Sequence, residues 1–179
     1  MQRYVAFLRG MNLGGRRIKN DDLRRHFEEM GLEEVATLRA SGNVIFSTPK
    51  REAEGKLASR VEAELDERLG YDVPVFLRSA KEIAAIAAQE PFDRRAVAAS
   101  KGKLQVSLLK KRPSAAAKKK VLALGSDEDL LAIEDRELYW LPSGGLLESD
   151  LDLREIAKLL GTDTRRTMST IEQIALKLS

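Results

Sequence analysis

Five consecutive apolar residues, Tyr4 to Leu8 in "RYVAFLRG", constrain the fold more than any other stretch of the chain. The run has strand length and no alternation: Tyr4, Ala6 and Leu8 fall on one face, Val5 and Phe7 on the other. A strand that is apolar on both faces has to be covered on both, which puts it inside a layered sheet rather than on a half-solvated one.

The residues that follow supply partners for it. "DDLRRHFEEMG" carries Leu23, Phe27 and Met30 at helical spacing, and Gly31 ends the pattern. Residues 35–39 and 44–47 are strand candidates joined by "ASGN", a hairpin. Leu57, Val61, Leu65 and Leu69 line one face of a helix predicted over 52–69 and stopped by Gly70. "DVPVFLR" predicts a strand, and its Pro74, lacking a backbone donor, assigns that strand to a sheet edge. Strand, helix, strand, strand, helix, strand is the ferredoxin-like arrangement, with an expected strand order of 4-1-3-2.

The second half predicts a helix over 80–89, a loop "EPFDRRAVAASKG", a strand in "KLQVSLLK" and a helix over 115–124. A hairpin pair "DLLAIED" and "ELYWLP", a helix in "LDLREIAKLLG" and a last helix over 169–178 follow. The order suggests a duplication, although no residue-level repeat supports it. The expected fold class is α+β, two ferredoxin-like halves packed as one compact unit: βαββαβ, then a βαββα repeat with extra helices. The second half is the available cover for the open face of the first sheet. The expected division is an N-terminal lobe over 1–79, a connecting helix and loop over 80–102, and a second lobe with a C-terminal helix over 103–179.

In that topology the loop after the first strand and the turn between the second and third lie at the same end of the sheet. "RGMNLGG" and "SGN" therefore meet. Gly10, Gly14 and Gly15 allow close backbone approach and present amide donors. Arg9, Arg16, Arg17 and Lys19 bring positive charge, while Asn12, Ser41, Gly42 and Asn43 add neutral hydrogen-bonding groups and backbone. Such a concavity suits a phosphate or carboxylate. Neither nucleotide motif is present: Arg16 follows Gly15 where the P-loop needs lysine, and Asn12 stands at the second glycine of the dinucleotide fingerprint.

Other chemistries fare worse. With no cysteine in 179 residues there are no disulfides, thiolate metal sites or cysteine nucleophiles. His26, the single histidine, lacks metal-ligating companions and fits a structural, half-buried role. No metal or cofactor is expected. No carboxylate pair stands out as acid and base, so no reaction is assigned. Phe7 and Phe46 could stack on bases, but the signature of an RNA-recognition sheet is missing and both fit a core. The net charge of +3 is uneven, for residues 101–120 carry eight Lys or Arg and no Asp or Glu. That block reads first as a solvated face and second as a nucleic-acid footprint. No signal-peptide core or long apolar span is present, so a cytoplasmic location and no membrane partner are expected.

"YVAFLRGMNLGG", "SGNVIF", "VPVFLRSAKEIAAIAAQEPF" and "RTMSTIEQI" together resemble the bacterial DUF1697 family over nearly the whole chain. The resemblance implies a pair of ferredoxin-like halves and carries no established activity. The family's late motif commonly reads Arg-Asn-Trp-x-Thr and then an apolar residue. Arg166, Thr170 and Ile171 match it, whereas Thr167 and Met168 stand where Asn and Trp are usual. Arg166 and Thr170 join the candidate ligand-binding residues by this resemblance alone. The leading expectation is a small anionic or phosphorylated ligand at the sheet end. A nucleic-acid module ranks second, and a structural or partner-binding protein without a ligand third; oligomeric state is left open.

Overall fold

The apolar run forms the middle of a sheet, as its two apolar faces demand. In this computed structural model, which describes residues 1–11, 15, 17–39 and 42–179, the chain divides into two compact units, Met1–Ile83 with Lys177–Ser179, and Ala84–Leu176. The first unit holds β1 (Gln2–Leu8), α1 (Asn20–Glu29), β2 (Glu33–Thr37), β3 (Asn43–Thr48), α2 (Glu54–Leu69) and β4 (Val75–Ser79). Its strands are antiparallel in the order β2-β3-β1-β4, so β1 has a neighbour on each side and β4 is an edge, the place Pro74 assigned it.

Tyr4, Ala6 and Leu8 of β1 share one face with Val44, Phe46 and Leu77, and there they meet Leu23 and Phe27 of α1 and Leu57, Val61 and Leu65 of α2. Phe46 centres this core, with ring centroids 5.9 Å from Tyr4 and 5.8 Å from Phe27. On the other face Val5, Phe7, Ile45, Phe76 and Arg78 are buried too. β2 lies two residues earlier than its apolar residues suggest. Glu34 takes a positive φ of 49°, the pairing with β3 shifts between Glu33 and Ala36, and the Ser47 hydroxyl donates to the Glu34 carboxylate. A bulge of this kind re-aims the strand without any mark in the apolar pattern.

The rest of the chain contributes α3 (Ala80–Ala87), α4 (Arg94–Ala99), β5 (Gln105–Leu109), α5 (Ala115–Leu122), β6 (Asp129–Glu134), β7 (Glu137–Pro142), α6 (Leu153–Leu160), β8 (Asp163–Thr167) and α7 (Met168–Leu178). A second antiparallel sheet has the order β6-β7-β5-β8. Two expectations are corrected. The segment "EPFDRRAVAASKG" contains α4, capped by Asp93, whose carboxylate accepts the Arg95 amide at 2.7 Å. The second half also has a fourth strand, β8, ahead of α7, so its repeat is βαββαβ rather than βαββα. Its sequence "DTRRT" has no apolar residue, and its pairing with β5 is a backbone ladder that periodicity cannot register.

A residue-level repeat, unseen in the sequence alone, appears once the strands are aligned by register. Val5 pairs with Arg78 across β1 and β4, and Val106 pairs with Arg166 across β5 and β8. Continuing from those arginines, Ser79, Ile83, Ile86 and Ala87 correspond to Thr167, Ile171, Ile174 and Ala175. The four isoleucines are all buried. Each arginine donates from Nη1 to the carbonyl of the residue before it, Arg78 to Leu77 at 2.9 Å and Arg166 to Arg165 at 2.8 Å.

Candidate functional site

The end of the first sheet is assembled from three backbone segments. Leu8 N–H donates to the Gly42 carbonyl at 2.8 Å and Arg9 N–H to the Pro74 carbonyl at 3.1 Å, so the last turns of β1 are tied to the segments on both sides. Gly10, Gly15 and Gly42 all take left-handed φ, 73°, 79° and 66°. At Gly42 a Cβ would lie 3.0 Å from the Cβ and the carbonyl oxygen of Leu8 and 3.1 Å from Met11 Cγ. Leu8, at the end of β1, and Met11 of the predicted loop are thus in contact with Gly42 of the predicted turn.

Charge gathers at this end. Arg9, Arg17 and Lys19 are exposed, and Arg39, at φ 59° in the β2–β3 turn, is a fourth exposed cation. The Asn20 amide at the start of α1 donates to the Arg39 carbonyl at 3.1 Å, which ties that turn to the helix. Asn43 is turned inward: it is 2% exposed, and its Nδ2 donates to the Leu38 carbonyl at 3.1 Å, closing the hairpin. Asn12, Gly14 and Ser41 lie outside the described residues.

A cavity of about 480 Å³ opens beside the loop, lined by Gly15, Arg17 and residues of α1 and of the C-terminus of α2. Arg25, His26 and Arg68 bring it nitrogen donors, and Tyr71 and Leu69 give it an apolar side. Ion pairs fix two of those arginines. Arg25 holds Asp22 at 2.9 Å, and Arg68 holds Glu29 and, at 3.3 Å, Glu64. Burial works against the Arg68 charge, but its hydrogen bonds to Glu29 and Glu64 outweigh this and raise the guanidinium above its ordinary value. Arg17 makes no hydrogen bond or ion pair among the described residues. Arg25, Arg39, Arg68 and Tyr71 went unnoticed in the sequence, because nothing in it says which turns of the two helices adjoin the loop.

Arg166 and Thr170 fall in the second unit. Arg166 is half-buried, donating to Thr164 Oγ1 at 2.8 Å, and burial pushes its guanidinium down to about 10, leaving it charged at neutral pH. Thr170 is 8% exposed and belongs to the helix start: its N–H donates to Thr167 Oγ1 at 3.2 Å, and the two hydroxyls lie 3.0 Å apart. Thr167 is the N-terminal cap of α7 and Met168 a buried apolar residue. These are roles that Asn and Trp can also fill, so the two departures from the family's usual motif keep its local physics.

His26 is half-buried on α1, with Nδ1 shut away from solvent and without a hydrogen-bond partner among the described residues. Phe7 and Phe46 are fully buried and point to opposite faces of the sheet, since Phe46 pairs with Tyr4 and Phe7 with Asn43. They offer no platform for bases. All eight basic residues of 101–120 are exposed. Among the described residues no helix is long and apolar enough to cross a membrane.

Fold and site together define an α+β protein with two four-stranded antiparallel sheets and a basic, glycine-bearing end on the first. The chain belongs to the DUF1697 family: the family model, described as "Protein of unknown function (DUF1697)", matches residues 1–139. The late Arg166 motif lies beyond that match. The structure of conserved bacterial protein SP0830 from Streptococcus pneumoniae has the same fold, with a TM-score of 0.79 and 18% identity over 99% of this chain and 98% of that one. No curated protein sequence matches.

Proposed function

We propose that this protein binds a small anionic or phosphorylated ligand at the end of the first sheet, where the segment from Arg9 to Arg17 meets the turn that ends in Gly42 and Asn43. The observation that carries this is the hydrogen-bonded crossing of Leu8 and Gly42, with the exposed cations Arg9, Arg17, Lys19 and Arg39 on the segments that lead away from it. Left-handed Gly15 has open space around it, and Arg9 and Lys19 are anchored by main-chain hydrogen bonds to Pro74 and Leu23, so these two lose little freedom when they close on an anion. The strand orders β2-β3-β1-β4 and β6-β7-β5-β8 support reading each half as ferredoxin-like.

A thermal-shift screen of phosphates, phosphate esters and carboxylates tests the proposal, since a ligand selective for the folded state raises the unfolding temperature. Replacing Arg9 and Arg17 together by alanine removes two charge-assisted contacts. It is expected to weaken the best phosphate-bearing hit by roughly 100-fold while leaving the fold intact. Unchanged affinity in the double variant would remove this end as the binding site.

A further inference from the structure

We infer that the cavity beside α1 and the end of α2 is the seat of the phosphoryl group of a phosphate monoester, with His26 and Arg17 as its donors. This rests on the reading that the end of the first sheet takes an anion, and it extends that site through Gly15 and Arg17 into the cavity. The volume, about 480 Å³, falls within the range of roughly 300 to 1,000 Å³ usual for small-molecule pockets.

His26 gives the first argument. Its Nδ1 is buried without a hydrogen-bond partner among the described residues, although the imidazole lines an open cavity. Folded proteins leave a buried N–H without a partner more rarely than a buried lone pair, so the bare nitrogen is the one that goes without its proton. The proton therefore belongs on Nε2, the remaining polar atom of the ring, which makes the cavity side of His26 a donor. That fits a phosphoryl oxygen and does not fit a cation.

The arginines give the second. Arg25 and Arg68 are tied into an alternating chain by Asp22, Glu29 and Glu64, which fixes their guanidinium planes before any ligand arrives. Arg17 makes no such pair among the described residues, which suits it to close on an incoming charge. Ile18, Leu69 and Tyr71 line the same cavity and provide an apolar wall. Inorganic phosphate would leave that wall unused, whereas an ester with an aliphatic or aromatic body would cover it. The described positively charged lining residues outnumber Asp22, the one described carboxylate in the lining.

The test is calorimetric titration of the whole chain with phenyl phosphate and with inorganic phosphate, for wild type and four single variants, each checked for a cooperative thermal transition. The wild type is expected to prefer phenyl phosphate by about tenfold, because the ring buries apolar surface. Arg17→Ala and His26→Asn are each expected to lower its affinity by about tenfold. His26→Gln, whose amide nitrogen reaches the place of Nε2, should keep it, and Arg9→Ala, outside the cavity lining, should lower it less than Arg17→Ala does. Loss in Arg9→Ala with His26→Asn and Arg17→Ala at wild-type affinity would overturn the cavity assignment while the broader anion site stood. Equal affinity for the two probes would overturn the ester. No binding of either probe to wild type, or identical binding in all variants, would overturn the inference together with the reading beneath it.

Discussion

Gly42 shows how tightly a single residue can determine the candidate site. Its φ of 66° is open to glycine and strained for other residues, and the space where a Cβ would sit is already occupied by Leu8 and Met11. Gly42→Ala has to break either the turn or the hydrogen bond between Leu8 and Gly42, at an expected cost of about 2 kcal/mol in chemical denaturation. Wild-type stability in that variant would mean that the turn relaxes freely and is no fixed wall of the site. Thr167 illustrates the opposite case, a residue whose departure from the usual family motif changes little. A threonine cap accepts the same helix-start amide that asparagine would, with a similar contribution of about 1 kcal/mol.

At the scale of elements, the second unit depends on how β7 is tied to its surroundings. Val121 of α5, Ile133 of β6, Leu138 of β7 and Ile156 of α6 form a small buried cluster. Beside it Trp140 of β7 lies under the Arg165 guanidinium, 5.1 Å from its ring centre, and donates from Nε1 to Asp129 at 2.8 Å. Asp129 is 5% exposed and also accepts the Ser149 hydroxyl at 2.7 Å, so one carboxylate joins β6, β7 and the connection into α6. Trp140→Phe keeps most of the apolar contact and removes one donor from a buried carboxylate. The expected loss is about 2 kcal/mol, read as a lower denaturation midpoint. Ser149→Ala should lose less, because the Ser149 hydroxyl is only partly buried and its loss leaves the Trp140–Arg165 contact in place.

For the molecule as a whole, the question is what the uneven charge does. The eight basic residues of 101–120 lie in the solvent-exposed flanks of β5 and on α5, with Arg112 paired to Asp135 at 2.8 Å. Lys118, Lys119 and Lys120 are consecutive on a helix and therefore point in different directions, which is poor geometry for tracking a phosphate backbone. Replacing all three by glutamine is expected to shift stability by no more than about 0.5 kcal/mol. Filter binding to single-stranded RNA over a salt series separates the readings: a steep salt slope that disappears in the triple variant would favour a nucleic-acid function over the small-anion site.

Much of this architecture follows from local pattern. Unbroken apolarity from Tyr4 to Leu8 places β1 inside a sheet, Pro74 puts β4 at an edge, and the spacing of Leu57, Val61 and Leu65 builds α2, because these depend on side-chain period and backbone donors that a short window contains. The second hairpin is equally legible in "DLLAIED" and "ELYWLP". β8 is not, since "DTRRT" becomes a strand only when β5 offers it a ladder, and hydrogen bonds between backbones leave no trace in residue type. The repeat from Arg78 and Arg166 is likewise visible only after pairing register fixes the alignment. The candidate site divides in the same way. The glycines and cations of "RGMNLGGRR" could be singled out from sequence, but only tertiary structure set Arg17 beside Arg25, His26 and Arg68, because the antiparallel packing of α1 and α2 joins residues some forty positions apart whose neighbourhood no local pattern encodes.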